Sequence, residues 1–253
     1  MNLTGNTILI TGGGSGIGRG LAEALHALGN QIVIAGRRKQ ALDETTAANP
    51  GMKSLTLDIE DPSAIRVFAG HVAAEWPALN ILINNAGIMR PENLLAQQDD
   101  LADAEATVRT NLLGPIRLTA ALLPLLQGQP HATIVNVSSG LAFLPLALTP
   151  TYCATKAAIH SYTESLRYQL RGTKIEVLEL VPPYVATHLM SGADDPRAMP
   201  LDKFLAEVME ILKTQPTPAE ICVETVKALR FAAQSGRYNA VFAGLNAARP
   251  DGH

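Results

Sequence analysis

Short runs rich in β-branched residues alternate with longer helical patterns along the chain of 253 residues. The pattern predicts strands at residues 7–11, 31–35, 54–57, 80–83, 133–137, 174–180 and 238–242. It predicts helices at residues 16–29, 39–49, 62–75, 101–126, 152–171 and 218–234. Apolar strands separated by helices are typical of parallel sheets covered on both faces. We therefore predict a doubly wound α/β fold with a seven-stranded, mostly parallel sheet.

Length and composition favour a single domain spanning residues 1–253, because 47% hydrophobic and 17% charged residues allow a large core. The net charge of −3 and the scattered basic residues predict no nucleic-acid partner. No apolar run approaches the ~18 residues that span a bilayer, and the first residues lack a signal-peptide pattern. We therefore expect a cytoplasmic protein with no membrane partner. The two cysteines and six histidines match no ligand spacing, which predicts no metal site.

A glycine-rich turn joins the first predicted strand to the first predicted helix: Thr11-Gly12-Gly13-Gly14-Ser15-Gly16-Ile17-Gly18. Glycines let the backbone approach a pyrophosphate, and the amides at the start of a helix point toward the anion. The turn therefore predicts a dinucleotide site. Its spacing, Gly12-x3-Gly16-x-Gly18, differs from the general G-x-G-x-x-G fingerprint, so a turn that serves only tight packing is the alternative.

Tyr152 and Lys156 lie four residues apart at the start of a predicted helix and should share one face of it. A neighbouring ammonium stabilises a phenolate and would bring proton exchange of the tyrosine closer to neutral pH. The alternative is a solvated lysine beside a half-buried tyrosine.

Together with Asn84-Asn85-Ala86-Gly87, Asn111 and Ser139, these motifs resemble the short-chain dehydrogenase/reductase family in order and spacing over nearly the whole chain. The Pro182-Pro183 turn, residues 199–204 and the end of the chain resemble its DltE-like branch. The resemblance implies a Rossmann-type domain with a substrate loop at about 186–215. It also implies a homodimer or homotetramer that transfers hydride between NAD(P) and the carbonyl or hydroxyl carbon of a small, apolar substrate.

The resemblance also implies four catalytic residues. Ser139 would donate a hydrogen bond to the substrate carbonyl, and Tyr152 would deliver a proton to its oxygen. Lys156 would stabilise the phenolate and hold the nicotinamide ribose, and Asn111 would support a water relay from Lys156 to solvent. Two alternatives stay open: Ser138 competes with Ser139, and a buried Asn111 could serve only a structural hydrogen bond.

The cofactor site implied by the resemblance runs from the glycine turn to the loop after the sixth strand. Asp58 and Ile59 would flank the adenine, the Asn84 to Gly87 motif would lie beside its ribose, and Val185 and Thr187 would reach the nicotinamide side. The alternative for the asparagine motif is an ordinary turn without a role in binding. The complete predicted set is Gly12, Gly14, Ser15, Gly16, Ile17, Gly18, Arg37, Arg38, Asp58, Ile59, Asn85, Ala86, Gly87, Tyr152, Lys156, Val185 and Thr187.

The end of the second predicted strand favours NADP(H), with NAD possible. Gly36 stands 20 residues after Gly16, where an acidic residue would accept hydrogen bonds from the ribose of NAD. Arg37 and Arg38 follow, and guanidinium groups pair well with a phosphate. Ser15 counts against this choice, because many NADP-preferring relatives carry a basic residue there. A surface arginine pair is the alternative.

An apolar substrate pocket is predicted from residues in two loops, although the same residues could be core: Phe143, Leu144, Leu146, Leu189, Met190 and Met199. Proline at position 183 replaces the family's usual glycine and stiffens the start of the substrate-side loop. Apolar positions on two long helices predict at least a dimer: Leu112, Ile116, Ile159 and Leu166.

Two rival functions come from other classes of protein. The first is hydrolysis of D-alanyl or related esters with Ser139 as nucleophile, but no Gly-x-Ser-x-Gly elbow surrounds that serine. The second is a dinucleotide sensor without turnover, whose expected mark would be the loss of Tyr152 or Lys156.

Overall fold

The computed structural model describes residues 1–96, 101–190 and 195–247. Within these ranges, seven strands form one sheet in the order β3-β2-β1-β4-β5-β6-β7, and all neighbouring strands are parallel. The strands are β1 (Thr7–Thr11), β2 (Gln31–Gly36), β3 (Lys53–Thr56), β4 (Leu79–Asn84), β5 (Ala132–Val137), β6 (Ile175–Val181) and β7 (Glu220–Cys222). The strand order reverses between β1 and β4, which is where open α/β sheets bind ligands. The predicted fold class is confirmed.

Helices pack on both faces of this sheet. On β1, Ile8 and Ile10 belong to one buried cluster with Phe204, whereas Leu9 belongs to a second cluster with Phe68. The alternation arises because successive side chains of a strand point to opposite faces. The helices are α1 (Gly16–His26), α2 (Lys39–Ala48), α3 (Pro62–Glu75), α4 (Ala102–Val108), α5 (Gly114–Gln127), α6 (Pro150–Leu170), α7 (Leu201–Lys213), α8 (Lys227–Arg230) and α9 (Tyr238–Asn246).

The seventh strand is not the one predicted. Residues 238–242 lie in α9, where Tyr238 and Phe242 stack with their ring centroids 6.0 Å apart. The true edge strand, β7, falls inside the helix predicted at 218–234, and its Ile221 pairs with Leu180 of β6. Three residues are too few for periodicity to distinguish a strand from a helix, so pairing with β6 decides the conformation of this segment.

The helix predicted at 101–126 is interrupted. A π-helical turn, Arg109–Leu113, separates α4 from α5 and contains Asn111. Such turns are rare and occur frequently at functional sites. The apolar periodicity of the sequence continues across the turn and carries no sign of it.

Two of the residues predicted for a dimer surface lie inside the protomer. Ile159 is 2% exposed and Leu166 is 8% exposed, so neither offers a surface to a partner. Leu112 and Ile116 are partly exposed.

The segment 186–215 includes the whole of α7, whose Phe204 and Val208 belong to the core. Of the loose stretch at 191–200, residues 191–194 lie outside the described residues. The role of 186–215 as a substrate loop stays a prediction. None of the described helices is both long and apolar enough to span a membrane.

Candidate active site

A cavity of about 770 Å³ follows the C-terminal ends of the parallel strands. Residues after β1, β2, β4, β5 and β6 all contribute to its wall, because parallel strands end at one edge of the sheet. It brings together most of the predicted site: Gly12, Gly14, Ser15, Gly16, Ile17, Arg37, Arg38, Ile59, Asn85, Ala86, Gly87, Ser139, Tyr152, Lys156, Val185 and Thr187. Gly18, Asp58 and Asn111 are not part of this wall.

The glycine turn serves both packing and access. Gly12 has φ +69°, and a Cβ there would stand 2.8 Å from Asn85 Nδ2. A Cβ on Gly18 would stand 2.4 Å from the same nitrogen, so Gly18 is required for packing. Gly16 faces Thr187, whose Cγ2 would lie 3.4 Å from an added Cβ. The packing interpretation therefore holds for Gly18, whereas Gly12 both packs against Asn85 and borders the cavity, and Gly16 borders the cavity.

Thr11, at the end of β1, holds the asparagine motif in place. Its Oγ1 accepts hydrogen bonds from Asn85 N at 3.0 Å and from Ala86 N at 3.1 Å. Asn85 Nδ2 donates in return to Thr11 O at 2.9 Å. These bonds tie the loop after β4 to the glycine turn, so both sides of the cavity are fixed relative to each other.

Tyr152 on α6 meets Ser139 at the inner end of the cavity, where the two side chains form a hydrogen bond. Ser139 Oγ also accepts a hydrogen bond from Leu141 N at 3.1 Å. Ser138 also borders the cavity, but its Oγ makes a long contact of 3.5 Å with Leu180 O. Of the two candidate serines, Ser139 is the one bonded to the tyrosine.

Burial dominates the protonation of Tyr152. It raises the pKa of the phenol above its usual value, and the hydrogen bond with Ser139 opposes this shift only in part. The net shift of the pKa of Tyr152 is therefore opposite to the one expected from a neighbouring Lys156. Tyr152 is protonated at neutral pH and can act as an acid.

Lys156 is also buried, with 5% of its surface exposed. Its Nζ donates to Val137 O at 2.8 Å and lies 5.6 Å from the centroid of the Tyr152 ring. Burial lowers the pKa of Lys156 to about 8, while the negative charge of Glu179 opposes this shift. The ammonium form of Lys156 therefore predominates at neutral pH but begins to lose its proton only slightly above it.

Asn111 is fully bonded within the protein. Its Oδ1 accepts from Ile88 N and its Nδ2 donates to Ile88 O, both at 2.8 Å. These bonds fix the loop after β4, where a Cβ on Gly87 would stand 3.8 Å from Lys156 Nζ. The structural alternative for Asn111 therefore has direct support. Asn111 and Lys156 also border a second cavity of about 10 Å³, roughly the size needed for one water molecule.

The arginine pair lies at the outer end of the large cavity. Arg37 Nη1 is 2.7 Å from Glu60 Oε1, a partner that the sequence analysis missed. Arg38 Nη2 donates to Ser15 Oγ at 2.8 Å. Asp58 is exposed, and its Oδ1 accepts from Glu60 N at 3.0 Å.

The apolar part of the cavity differs from the predicted pocket. Leu146, Leu189 and Met190 border it as predicted. Leu144 and Met199 are instead core residues, 0% and 6% exposed, and Phe143 packs against His160 and Arg230. Three residues that the sequence analysis missed complete the apolar wall: Leu141, Leu229 and Leu245.

Leu245 reaches the cavity because α9 is anchored beside it. Asn246 Oδ1 accepts from Ala147 N at 2.6 Å, and its Nδ2 donates to Pro145 O at 3.1 Å. These bonds join the C-terminal helix to the loop after β5, about a hundred residues earlier in the chain.

Comparisons with known proteins agree with this geometry. The family model for short chain dehydrogenase matches residues 6–198. The uncharacterized oxidoreductase DltE of Bacillus subtilis (strain 168) is 38% identical over 251 residues, covering 97% of this chain and 98% of that protein.

Two solved structures show the same architecture. A short chain dehydrogenase from Burkholderia cenocepacia J2315, in complex with NADP, is 25% identical and has a TM-score of 0.80 over 97% of this chain and 99% of its own. The 3-ketoacyl-(acyl-carrier-protein) reductase of Brucella melitensis, complexed with NADH, is 27% identical and has a TM-score of 0.76 over 85% of this chain and 93% of its own. The chain belongs to the short-chain dehydrogenase/reductase family, in its DltE-like branch, and is an enzyme of that family.

Proposed function

We propose that this protein is an NADP(H)-dependent oxidoreductase that interconverts a small apolar carbonyl compound and its alcohol. One observation carries the proposal. The hydrogen-bonded Tyr152 and Ser139, with Lys156 beside them, occupy the inner end of a cavity whose outer end carries Arg37 and Arg38. A cavity of about 770 Å³ falls in the range of small-molecule and cofactor sites. Its open glycine turn suits a pyrophosphate.

The side chains divide the work by their protonation and position. A bound nicotinamide dinucleotide would supply or accept the hydride. Tyr152, held protonated by burial, gives its proton to the carbonyl oxygen during reduction, and Ser139 donates a hydrogen bond to the same oxygen. Lys156 offsets the negative charge left on Tyr152 and holds the nicotinamide ribose. Oxidation follows the same path in reverse.

Asn111 supports the return of the proton in this proposal. It fixes the loop beside Lys156, and the small cavity between the two residues would hold a water molecule. That water would connect the buried ammonium to solvent.

The remaining predicted cofactor contacts follow the course of the cavity. Ile59 would pack on the adenine, and Val185 and Thr187 would contact the nicotinamide end. Asp58, which is exposed and lies outside the cavity wall, would contribute only at its rim.

We expect a lower dissociation constant for NADPH than for NADH, and Arg38 should contribute most. Arg38 already meets Ser15 at the glycine turn, whereas the charge of Arg37 is shared with Glu60. Removing a charged hydrogen-bond donor costs about 1.5–3 kcal/mol, so Arg38→Ala should weaken NADPH binding roughly 10-fold or more. Arg37→Ala should have the smaller effect, and the double variant should lose the preference. Fluorescence titration at fixed salt measures the dissociation constants for NADPH and NADH in the wild type, the two single variants and the double variant.

The control is Arg66→Ala, which removes an exposed arginine of α3 that is not part of the cavity wall. It should leave both dissociation constants unchanged. Equal affinities of the wild type for NADPH and NADH would contradict the assignment, because the additional phosphate would then have no partner.

The apolar character of the proposed substrate follows from the apolar wall of the cavity. This wall is formed by residues after β5, in the 186–215 loop and in α8 and α9: Leu141, Leu146, Leu189, Met190, Leu229 and Leu245. A panel of apolar and charged aldehydes and ketones, assayed with NADPH and with NADH, tests the proposal. Oxidation of the reduced dinucleotide with apolar carbonyls supports it. Hydrolysis of a chromogenic ester without dinucleotide would instead favour the esterase alternative, and dinucleotide binding with no turnover of any carbonyl would favour the sensor.

We also propose that the protein is at least dimeric. Leu112 and Ile116 leave apolar surface partly exposed on the segment from 109 to 127, and members of this family commonly form dimers or tetramers. Light scattering at micromolar concentration should give at least twice the protomer mass of 26.8 kDa. Ile116→Glu should lower that mass without unfolding the protomer, and a monomeric wild type would contradict the proposal.

A further inference from the structure

A row of polar side chains crosses the sheet beneath α6. Asn84 of β4, Asn136 of β5, Glu179 of β6 and Glu220 of β7 are successive Cα partners in the strand register. Partners in neighbouring parallel strands point to the same face of the sheet. Asn84 Nδ2 donates to Asn136 Oδ1, and Asn136 Nδ2 donates to Thr163 Oγ1 of α6, both at 2.9 Å. The row therefore faces α6, the helix that carries Tyr152 and Lys156.

Glu179 is the most deeply buried member of this row, with 0% exposure. Its Oε2 lies 2.8 Å from His160 Nδ1 of α6, and its Oε1 has no hydrogen-bond partner. Burying a carboxylate costs several kcal/mol unless nearby charges and hydrogen bonds compensate. One imidazole contact leaves half of this carboxylate without a partner, so its negative charge requires another source of stabilisation.

The ammonium group of Lys156 can provide this stabilisation of the Glu179 charge. Lys156 and His160 are four residues apart on α6 and share one face of that helix. Lys156 Nζ donates to Val137 O, the residue after Asn136, and Asn136 is the strand partner of Glu179. The ammonium and the carboxylate are thus held in the same buried layer between α6 and the sheet.

We propose that Glu179, held by His160, is a positioning residue that keeps Lys156 in its ammonium form. This inference rests on the proposed function of the site and adds a residue beyond the Ser139, Tyr152, Lys156 and Asn111 set. Its function is electrostatic: the carboxylate offsets the cost of burying the ammonium, and the ammonium in turn stabilises the phenolate of Tyr152.

The protonation of Lys156 agrees with this role. Burial alone pushes the pKa of Lys156 down, and Glu179 is the group whose charge pushes it back up, leaving it at about 8. Without that carboxylate the pKa falls further, and Lys156 loses its proton at a lower pH. The other groups near Lys156 and Glu179 are Tyr152, His160 with its neighbour Glu164, and the β7–α8 residues Glu220, Cys222 and Arg230.

Glu220 cannot take over the function of Glu179. Arg230 holds both of its oxygens, at 2.5 and 2.8 Å, and this bidentate pair balances its charge. One ligand atom each of His160, Glu179 and Glu220 lies within 4.8 Å of the others. Because the guanidinium already occupies Glu220, we infer a charge network rather than a cation site.

The direct test is the titration of Lys156 in lysine-labelled protein, followed by NMR at the side-chain Cε. The resonance is assigned by its loss in Lys156→Arg. We expect Glu179→Gln to lower the pKa of Lys156 by roughly 1 unit or more. Glu179→Asp, which keeps the charge, should restore most of the shift. Glu75→Gln is the matched control, since it neutralises an exposed carboxylate at the end of α3, and it should leave the titration unchanged.

The pH profile provides a second measurement. In the reductive direction, the alkaline limb of kcat/KM should move to lower pH in Glu179→Gln by the same amount, because Lys156 then loses its proton earlier. An unshifted Lys156 titration in folded Glu179→Gln would overturn this inference. Absence of carbonyl turnover in the wild type would overturn the proposed function alone, since the titration requires no substrate.

Two measurements guard against a variant that fails to fold. Glu179→Met replaces the buried carboxylate by an apolar side chain of similar size, a change that proteins often tolerate, and should lower the pKa of Lys156 as Glu179→Gln does. In the wild type itself, carboxyl-carbon NMR should show Glu179 ionised throughout the pH range of activity. A protonated Glu179 in that range would overturn the inference without any variant.

Discussion

Replacing Tyr152 with phenylalanine is expected to reduce turnover ~10²–10⁴-fold while the dissociation constant for the dinucleotide changes little. The substitution removes the hydroxyl that is hydrogen-bonded to Ser139 and leaves the ring that packs beside Lys156. Because burial holds Tyr152 protonated, the proposed mechanism makes this hydroxyl the proton source for reduction. Single-turnover kinetics isolates the chemical step from product release.

Tyr162→Phe provides the matched control for this experiment. Tyr162 lies on the same helix and packs against the second core cluster, away from the cavity. The Tyr162→Phe substitution removes the same kind of hydroxyl group and should have no effect on turnover. If Tyr152→Phe kept more than about a tenth of wild-type turnover, with chemistry limiting the rate, the assignment of Tyr152 as the acid would be wrong.

Replacing Lys156 with alanine should weaken both turnover and dinucleotide binding. The variant removes the cation beside Tyr152 and leaves the Val137 carbonyl without its 2.8 Å hydrogen bond. Loss of the ammonium makes the phenolate more costly to form, and we expect a decrease in kcat of roughly 10²-fold or more. The dissociation constant for the dinucleotide should rise as well, because the proposed contact of Lys156 with the nicotinamide ribose would be lost.

Measuring binding and turnover separately tests the two roles of Lys156. Isothermal titration calorimetry gives the dissociation constant, and single-turnover kinetics gives the chemical rate. Lys174→Ala removes an exposed lysine just before β6, at the end of that strand away from the cavity, and should change neither quantity. An unchanged dissociation constant in Lys156→Ala would rule out the ribose contact, and an unchanged chemical rate would rule out its action on Tyr152.

The two buried groups make different demands on the site. Burial raises the pKa of Tyr152 and lowers that of Lys156, so it favours the neutral form of both. A neutral tyrosine is suited to donate a proton, but a neutral lysine cannot stabilise the phenolate that remains. The charge of Glu179 matters for this reason, since it raises the pKa of Lys156 against the effect of burial.

The sequence by itself determined the layered fold and the approximate position of the site. The alternation of strands and helices is a local property, visible in runs such as Thr7–Thr11 and Pro62–Glu75, because apolar periodicity reports which faces are buried. The glycine turn and the spacing of Tyr152 and Lys156 are likewise local. Ser139 and the asparagine motif were identified from the order and spacing of motifs in the family. In the folded protein, the ends of the strands bring these residues to one edge of the sheet.

Only the tertiary structure decided the features that depend on distant partners. Residues 220–222 became a strand because β6 offers an edge, and residues 238–242 became a helix that Asn246 fixes beside the cavity. The same pairing of strands aligned Glu179 with Asn136 beneath Lys156. Local periodicity cannot indicate such contacts, because register between strands far apart in the chain determines which polar group is buried and which charge it meets there.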